Sequence, residues 1–370
     1  MRIGLFPAML GRRAGGPETY ERELLRGLAA VDSKNEYHVF FTDQRAAEVA
    51  GLTQDNFTSH VLWPSARWIN MVATLPLAAR KLDVRLLHAT FVPPPICPVN
   101  LAFTMHGSVT FSHPQFYQPR VLARLNPLLR LGVQRAQLTV CVSNFVKQEI
   151  MEYFNVPEDR LLTVYHGVNG RFRPDDSGIA QARVRDEFTI SGPYVLYVGK
   201  LHTNKNIVRL IEAFDIATQG MDEFQLVLVG RMFFGSDDIE QTVQRLGLAP
   251  RLHRLGHLND ECLPALYAGA QCMVFPTLWE GFGLPMIEAM ACGTPVIASD
   301  IACVPEITGG AALLVDPLSV ESIADGIQQV LSSCSLRADL CSRGLVRAAN
   351  FSWERTARQT LQGYERVAAA

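Results

Sequence analysis

Two glutamates, Glu280 and Glu288, bracket a glycine-containing loop in the stretch Pro276-Thr277-Leu278-Trp279-Glu280-Gly281-Phe282-Gly283-Leu284-Pro285-Met286-Ile287-Glu288-Ala289-Met290. An apolar run ends at Phe275, and a helix is expected to open at Pro285, which puts Glu280 before the helix and Glu288 about one turn inside it. Backbone N–H groups at a helix start lack partners and sit at the positive end of the helix dipole. A phosphate or a sugar hydroxyl can dock there. Carboxylates flanking a phosphate position repel the phosphate, but they suit sugar hydroxyls, which donate hydrogen bonds. A second stretch, Tyr194-Val195-Leu196-Tyr197-Val198-Gly199-Lys200-Leu201-His202-Thr203-Asn204-Lys205-Asn206, ends a strand at Gly199 and places two lysines before the next helix. Gly199 permits close backbone approach. Lys200 and Lys205 are able to clamp a diphosphate and neutralise charge on a leaving group. Singly, each feature is also an ordinary capping glutamate or solvated lysine; the pairing of the two stretches points to chemistry.

The elements that must position these residues alternate between strand and helix. Ile3–Pro7 is a short apolar run, followed by Gly15-Gly16-Pro17 and a helical stretch from Glu18 to Ala30 with Leu24, Leu25 and Leu28 at helix spacing. Pro17 suits a first helical position. Strands are expected at Tyr37–Thr42, Leu86–Ala89, Leu101–Met105 and Leu138–Val142, and a helix over Asn144–Phe154. The polar segment Gly170-Arg171-Phe172-Arg173-Pro174-Asp175-Asp176 reads as a linker. The alternation then restarts from Tyr194–Val198 and runs to a helix over Val320–Leu331. Two such blocks imply an α/β protein of two Rossmann-like, doubly wound domains with parallel sheets and helices on both faces. Ligands in such sheets sit beyond the carboxyl ends of the strands, and two facing domains can share a central cleft.

The 370 residues fit two domains at about 150 each. Hydrophobic residues make up 48% and charged residues 19%, which excludes a disordered chain. The net charge of −2 argues against a nucleic-acid binder. No apolar stretch reaches the length of about 20 residues that a membrane-spanning helix needs, and the start of the chain reads as a strand rather than a secretory leader. None of the eight cysteines forms a C-x-x-C pair, so a reducing cytosol is expected. His253 and His257 are four apart without the glutamate of a zinc motif, so no metal is expected. The string Gly281-Phe282-Gly283-Leu284-Pro285-Met286 fails the dinucleotide fingerprint at its last position, and no P-loop is present. Charge is uneven: residues 1–170 hold 17 Lys/Arg against 13 Asp/Glu, and residues 56–148 hold nine basic side chains and one acid, Asp83. Such a face is either simply solvated or attractive to an anionic partner such as a lipid headgroup.

The string E-G-F-G-L-P-x-x-E-A-M-A-C-G-T-P-V-I-A-S-D resembles the E-x7-E region of the retaining GT-B glycosyltransferases of family four, with Glu280 and Glu288 as its two glutamates. The V-G-x-L-x-x-x-K-N segment resembles that family's diphosphate loop. Val164-Tyr165-His166-Gly167-Val168-Asn169 is similar to its signature at the end of the first domain, where asparagine usually stands in place of His166. Gly15-Gly16-Pro17-Glu18-Thr19-Tyr20 resembles its N-terminal glycine loop, and Met105-His106-Gly107 its strand-end histidine, with glycine replacing the usual acid. The resemblance spans essentially the whole chain and implies a GT-B fold. Residues 1–170 would form the acceptor-side domain and 171–352 the nucleotide-sugar domain, with a C-terminal helix, about 353–370, able to pack back on the first.

The resemblance also implies roles. Glu288 would bind the ribose hydroxyls of the donor and Glu280 its sugar. The backbone N–H groups of Phe282, Gly283 and Leu284 would face sugar and phosphates. Lys200 and Lys205 would stabilise the departing diphosphate in place of a metal. His106 would sit under the donor sugar, orienting a hydroxyl or a carbonyl, and Gly16 would let its loop approach the diphosphate. His257 and Leu258, after the short strand Leu252–Leu255, would lie beside the base. The expected catalytic residues are His106, Lys205 and Glu280.

The implied activity is retaining transfer of a hexose, mannose by the overall look of the sequence, from a nucleotide diphosphate sugar to an acceptor hydroxyl in polysaccharide or glycolipid assembly. No cofactor is expected beyond that co-substrate. The rivals are a sugar-nucleotide epimerase of the same fold and a non-catalytic sugar-nucleotide-binding protein; a glycogen phosphorylase would need a much longer chain. The leucine-and-arginine stretch from Pro119 to Arg135 is either an ordinary domain helix, kinked or restarted at Pro127, or a surface resting on anionic lipid. The acceptor is accordingly a carbohydrate or a lipid-linked one. The expected location is cytoplasmic, at most with a peripheral site on the inner face of the membrane.

Overall fold

A strand covered on both faces needs apolar side chains at successive positions, and the central strands of this chain have them. The computed structural model describes residues 1–66, 69–175, 178–233 and 237–369. They divide into two units, Met1–Gly167 with Ser352–Ala370 and Val168–Phe351.

The first unit holds seven strands: β1 (Arg2–Phe6), β2 (Glu36–Phe41), β3 (Phe57–Val61), β4 (Leu86–Ala89), β5 (Asn100–Met105), β6 (Leu138–Cys141) and β7 (Leu161–Thr163). Their order in the sheet is β3-β2-β1-β4-β5-β6-β7, and every pairing is parallel. The chain winds outward from β1 in one direction and from β4 in the other, so the crevice for a ligand opens where β1 and β4 end. Phe6 and Ala89 are paired at that point. The C-terminal helix Trp353–Ala369 packs on the helix Gly16–Val31, and Gly27 makes the close approach possible: a Cβ there would lie 2.9 Å from the Trp353 carbonyl oxygen.

The second unit holds β8 (Tyr194–Val198), β9 (Gln225–Val229), β10 (Leu252–Gly256), β11 (Cys272–Phe275), β12 (Val296–Ser299) and β13 (Leu313–Val315), all parallel, in the order β10-β9-β8-β11-β12-β13. Its change of winding direction lies between β8 and β11. Each of these strands is followed by a loop that carries expected site residues.

Three expectations need correction. The strands β3 and β7 were not foreseen. β3 is an edge strand whose Thr58, Ser59 and Val61 are exposed, which removes the apolar signal, and β7 is three residues long. The helix Pro119–Arg135 runs unbroken through Pro127. Both Pro127 and Ala123, whose carbonyl loses its helical partner, are exposed, so that carbonyl is open to solvent rather than buried. The chain crosses between units at Gly167/Val168 and Phe351/Ser352. There the two chain segments touch: the Val168 N–H donates to the Phe351 carbonyl (3.3 Å). The segment read as a linker is partly core, since Phe172 is buried edge-on against Tyr267 (5.8 Å between centroids) and Arg171 pairs with Asp260 (3.7 Å). Asp176 at its end lies outside the described residues.

Candidate active site

In the second unit, the loops after β8 and β11 bring a lysine and a glutamate together. The Lys205 ammonium donates to Glu280 Oε2 at 2.6 Å, and Glu280 Oε1 accepts the Gly281 N–H (3.1 Å). Lys205 also lies over the Phe275 ring at the end of β11, 5.5 Å from its centroid. Two asparagines lock the lysine in place. The Asn204 carbonyl accepts from the Leu278 N–H (2.8 Å) and the Thr277 hydroxyl (3.1 Å). The Asn206 side chain donates to the carbonyls of Pro276 (3.0 Å) and Pro317 (2.6 Å). Asn206 sits at φ 61°, in the left-handed region that asparagine tolerates better than most residues, just before the helix Ile207–Ala217.

Lys200 stands on the same loop, over the Phe233 ring at 5.3 Å. Desolvation, with Lys205's charge adding to it, lowers the Lys200 pKa, while Glu280 opposes the shift. Two ammonium groups with one carboxylate leave a net positive charge, which favours a bound polyanion. The loop carrying Lys200 is held tightly against its neighbour. A Cβ at Gly230 (φ 145°), just beyond β9, would lie 1.8 Å from the Gly199 carbonyl oxygen, so no larger residue fits there without moving the loop.

Glu288 lies buried in the helix Leu284–Ala291, where its Oε2 accepts the Tyr267 hydroxyl at 2.9 Å. No side chain caps that helix. Pro285 has no N–H, and the Met286 N–H is taken by the Gly283 carbonyl (3.0 Å), so the N–H groups of Gly283 and Leu284 are the ones positioned for a ligand. Phe282 is buried edge-on against Phe351 (5.8 Å). His257, exposed, and Leu258, half-buried, follow the edge strand β10, with β9 between them and the Lys205 loop.

In the first unit, His106 immediately follows β5 and its Nε2–H donates to the Thr90 carbonyl (2.9 Å). Tyr20 meets it edge-on at 4.9 Å, Phe91 lies at 5.8 Å and His166 at 5.7 Å. Desolvation pushes His106 down to about 4, so the ring is neutral at pH 7. Trp353 stacks on His166 at 5.7 Å. Gly16 is exposed and opens its helix, whereas the positive φ of the glycine loop, 72°, belongs to Gly15.

Sequence reading missed Tyr267, Tyr20, Trp353, Asn204 and Asn206. The asparagines flanking Lys205 were the available signal. The aromatic residues gave none, because on the buried face of a helix they look like ordinary core. Among the described residues no group of His, Cys, Asp and Glu is arranged to hold a metal ion, and no helix is long and apolar enough to cross a membrane.

The pattern of glycosyl transferases group 1 matches residues 182–345, and that of glycosyltransferase family 4 matches residues 14–171. The O-antigen chain mannosyltransferase B of Escherichia coli is 33% identical over 263 residues, 71% of this chain and 69% of that protein. The chain belongs to the family 4, group 1 glycosyltransferases. The O-antigen chain mannosyltransferase RfbU of Salmonella typhimurium is 31% identical over 232 residues, which span 62% of this chain and 61% of RfbU. Sucrose-phosphate synthase from Thermosynechococcus elongatus superposes with a TM-score of 0.81 at 24% identity, covering 100% of this chain and 99% of that one, and so shares the GT-B fold. A glycosyltransferase of this fold carries two doubly wound units, which accounts for the two sheets above. The relatives are transferases, and the epimerase reading loses its ground.

Proposed function

We propose that this glycosyltransferase moves mannose from a nucleoside diphosphate mannose to an acceptor hydroxyl of a growing polysaccharide, with retention of configuration and without a metal or other cofactor. The observation that carries the reading is the Lys205–Glu280 pair on the loops after β8 and β11, at the change of winding direction in the second unit. The mannosyltransferase names of the two relatives above favour mannose. The intact set of Lys200, Lys205, Glu280 and Glu288 argues against an inert binder.

Each group then has a task. Glu288, oriented by Tyr267, accepts hydrogen bonds from the ribose diol. Glu280 accepts from a sugar hydroxyl and holds Lys205 in place. Lys200 and Lys205 neutralise the diphosphate, and the N–H groups of Gly283 and Leu284 add dipoles. His106 orients a hydroxyl of the donor sugar, and Gly16 leaves room for the diphosphate. His257 and Leu258 flank the base. As the bond from the anomeric carbon to the phosphate oxygen breaks, its electron pair leaves on the diphosphate, where both lysines stabilise it. The acceptor oxygen forms the new bond on the same face of the sugar, and its proton passes to the departing phosphate oxygen.

Calorimetry of a nucleoside diphosphate, with and without chelator, tests the donor site. Glu288→Ala is expected to weaken binding by roughly tenfold or more, because a charge-assisted hydrogen bond worth about 1.5–3 kcal/mol is lost. Unchanged affinity in the variant, or wild-type binding abolished by chelator, would contradict the assignment.

A lipid-linked acceptor and a peripheral site on anionic membrane belong to the same proposal. The helix Pro119–Arg135 turns Leu129 and Val133 inward and leaves Arg120, Arg124, Arg130, Arg135 and Val121 exposed. Trp63 of the same unit is 85% exposed. Each basic residue near an anionic surface contributes about 1 kcal/mol. Co-sedimentation with anionic vesicles should fall as salt is added and fall further when the four arginines are changed to glutamine. Equal recovery with neutral vesicles would remove the membrane from the account.

A further inference from the structure

The helix Gly16–Val31 carries a carboxylate that neither caps it nor faces water. Glu21 is 0% exposed. Its Oε2 accepts the Met9 N–H at 2.8 Å, and its Oε1 accepts the Thr90 hydroxyl at 2.6 Å. Burying an ionised carboxylate is costly unless hydrogen bonds compensate, so a residue serving stability alone has cheaper solutions. Met9 and Thr90 lie on separate segments, Met9 on the loop after β1 and Thr90 immediately after β4. Glu18, one turn earlier, holds the same loop through the N–H groups of Gly11 (3.0 Å) and Ala14 (2.7 Å).

Thr90 is the residue whose carbonyl receives His106 Nε2–H. A carbonyl only accepts, so that bond fixes the proton on Nε2 and leaves the lone pair on Nδ1. Among the described residues no group bonds to His106 Nδ1. Tyr20, adjacent to Glu21, supports the same ring from the side. Its hydroxyl is anchored in turn by a buried chain through Thr104 (2.8 Å), His88 (2.7 Å) and Tyr364 (2.6 Å).

We propose that Glu21 is a positioning residue for His106: through Thr90 it holds the imidazole as the Nε2–H tautomer with Nδ1 as its acceptor, and through Met9 it ties that imidazole to the glycine loop. The group that His106 receives is therefore one that donates a hydrogen bond, a sugar hydroxyl rather than a carbonyl. This rests on the reading that His106 serves the donor sugar.

Nitrogen-15 NMR of the full chain reports the tautomer without reference to activity. The wild type should show His106 with a protonated Nε2 and a bare Nδ1 at pH 7. Glu21→Gln reverses one donor–acceptor match, and Thr90→Val removes the hydroxyl link while keeping the carbonyl. Both variants should show mixed tautomers and lose turnover on the order of tenfold or more, with KM for the donor changed less than threefold. Because the two residues act as one unit, the double variant should be no worse than either single one. A pure Nε2–H tautomer in both folded variants, or fully additive losses, would overturn the proposal; Thr90→Val decides it even if Glu21→Gln fails to fold. His106→Ala with undiminished turnover, alongside mixed tautomers in Glu21→Gln, would instead overturn the role of His106 and leave Glu21's positioning intact.

Discussion

Lys205→Ala is expected to lower kcat by about 100-fold or more while leaving the fold intact. In the proposed mechanism the ammonium acts on charge that grows as the glycosidic bond breaks, so its loss belongs to the transition state rather than to the ground state. The loop itself is held by Asn204 and Asn206, whose bonds to Thr277, Leu278, Pro276 and Pro317 do not involve the lysine side chain. Folding should therefore change little. Glu280 loses its cation but remains partly solvated, which limits the cost of leaving it unpaired. Lys205→Arg keeps a charge but replaces a compact ammonium with a planar fork, so partial recovery is expected. Steady-state kinetics on the purified variants measure all of this. Turnover within about threefold of wild type in Lys205→Ala would show that the lysine does not act on the leaving group.

Acid should destabilise the first unit by several kcal/mol between about pH 6.5 and pH 4. His88 and His166 are buried in it and His106 is held among aromatic rings, and desolvation keeps all three neutral: His88 is pushed down to about 3, His106 to about 4, and His166 well below its ordinary value. Their mutual proximity adds to the shift for His88 and His166 through His106. In the unfolded chain each titrates near 6.5. Above that value neither state binds these protons and the stability is complete. As pH falls from 6.5 toward 4 the unfolded state takes up protons that the folded state refuses, at about 1.4 kcal/mol per pH unit for each histidine. Hydrogen exchange of β4 and β5 amides, followed from pH 7 to pH 4.5, reads the stability of this unit separately from the other. His166→Asn should flatten the profile by one histidine's share, and a profile identical to wild type would contradict the assigned burial.

The parts of the site that were legible in the sequence are those fixed by local spacing. A strand, a glycine and a helix start determine where Glu280, Glu288, Lys200 and Lys205 fall, because each is within a few residues of a boundary that hydrophobic pattern reveals. The partners that orient them come from elsewhere in the chain. Tyr267 reaches Glu288 from the helix Leu263–Gly269, and nothing in an apolar helix marks one tyrosine as a hydrogen-bond donor to a distant glutamate. Trp353 and Tyr364 join the histidine cluster only because the C-terminal helix returns to the first unit. The linker reading failed at Phe172 for a related reason: a polar, proline-containing stretch conceals one aromatic residue that a neighbouring element buries. Gly16 was singled out in the glycine loop, but the positive φ that requires glycine lies one residue earlier, a distinction that motif spacing does not carry.

The central claim is that the chain transfers mannose with retention, using lysines rather than a metal. Proton NMR of the product formed from a nucleoside diphosphate α-mannose and a mannose-terminated acceptor, in the presence of chelator, tests it most directly. The account predicts a new α-linked mannose with release of the nucleoside diphosphate in equal amount, formed about 100-fold or more slowly by Lys205→Ala. A β-linked product, transfer that stops with chelator and returns with a divalent metal, or release of free mannose without acceptor dependence would contradict it.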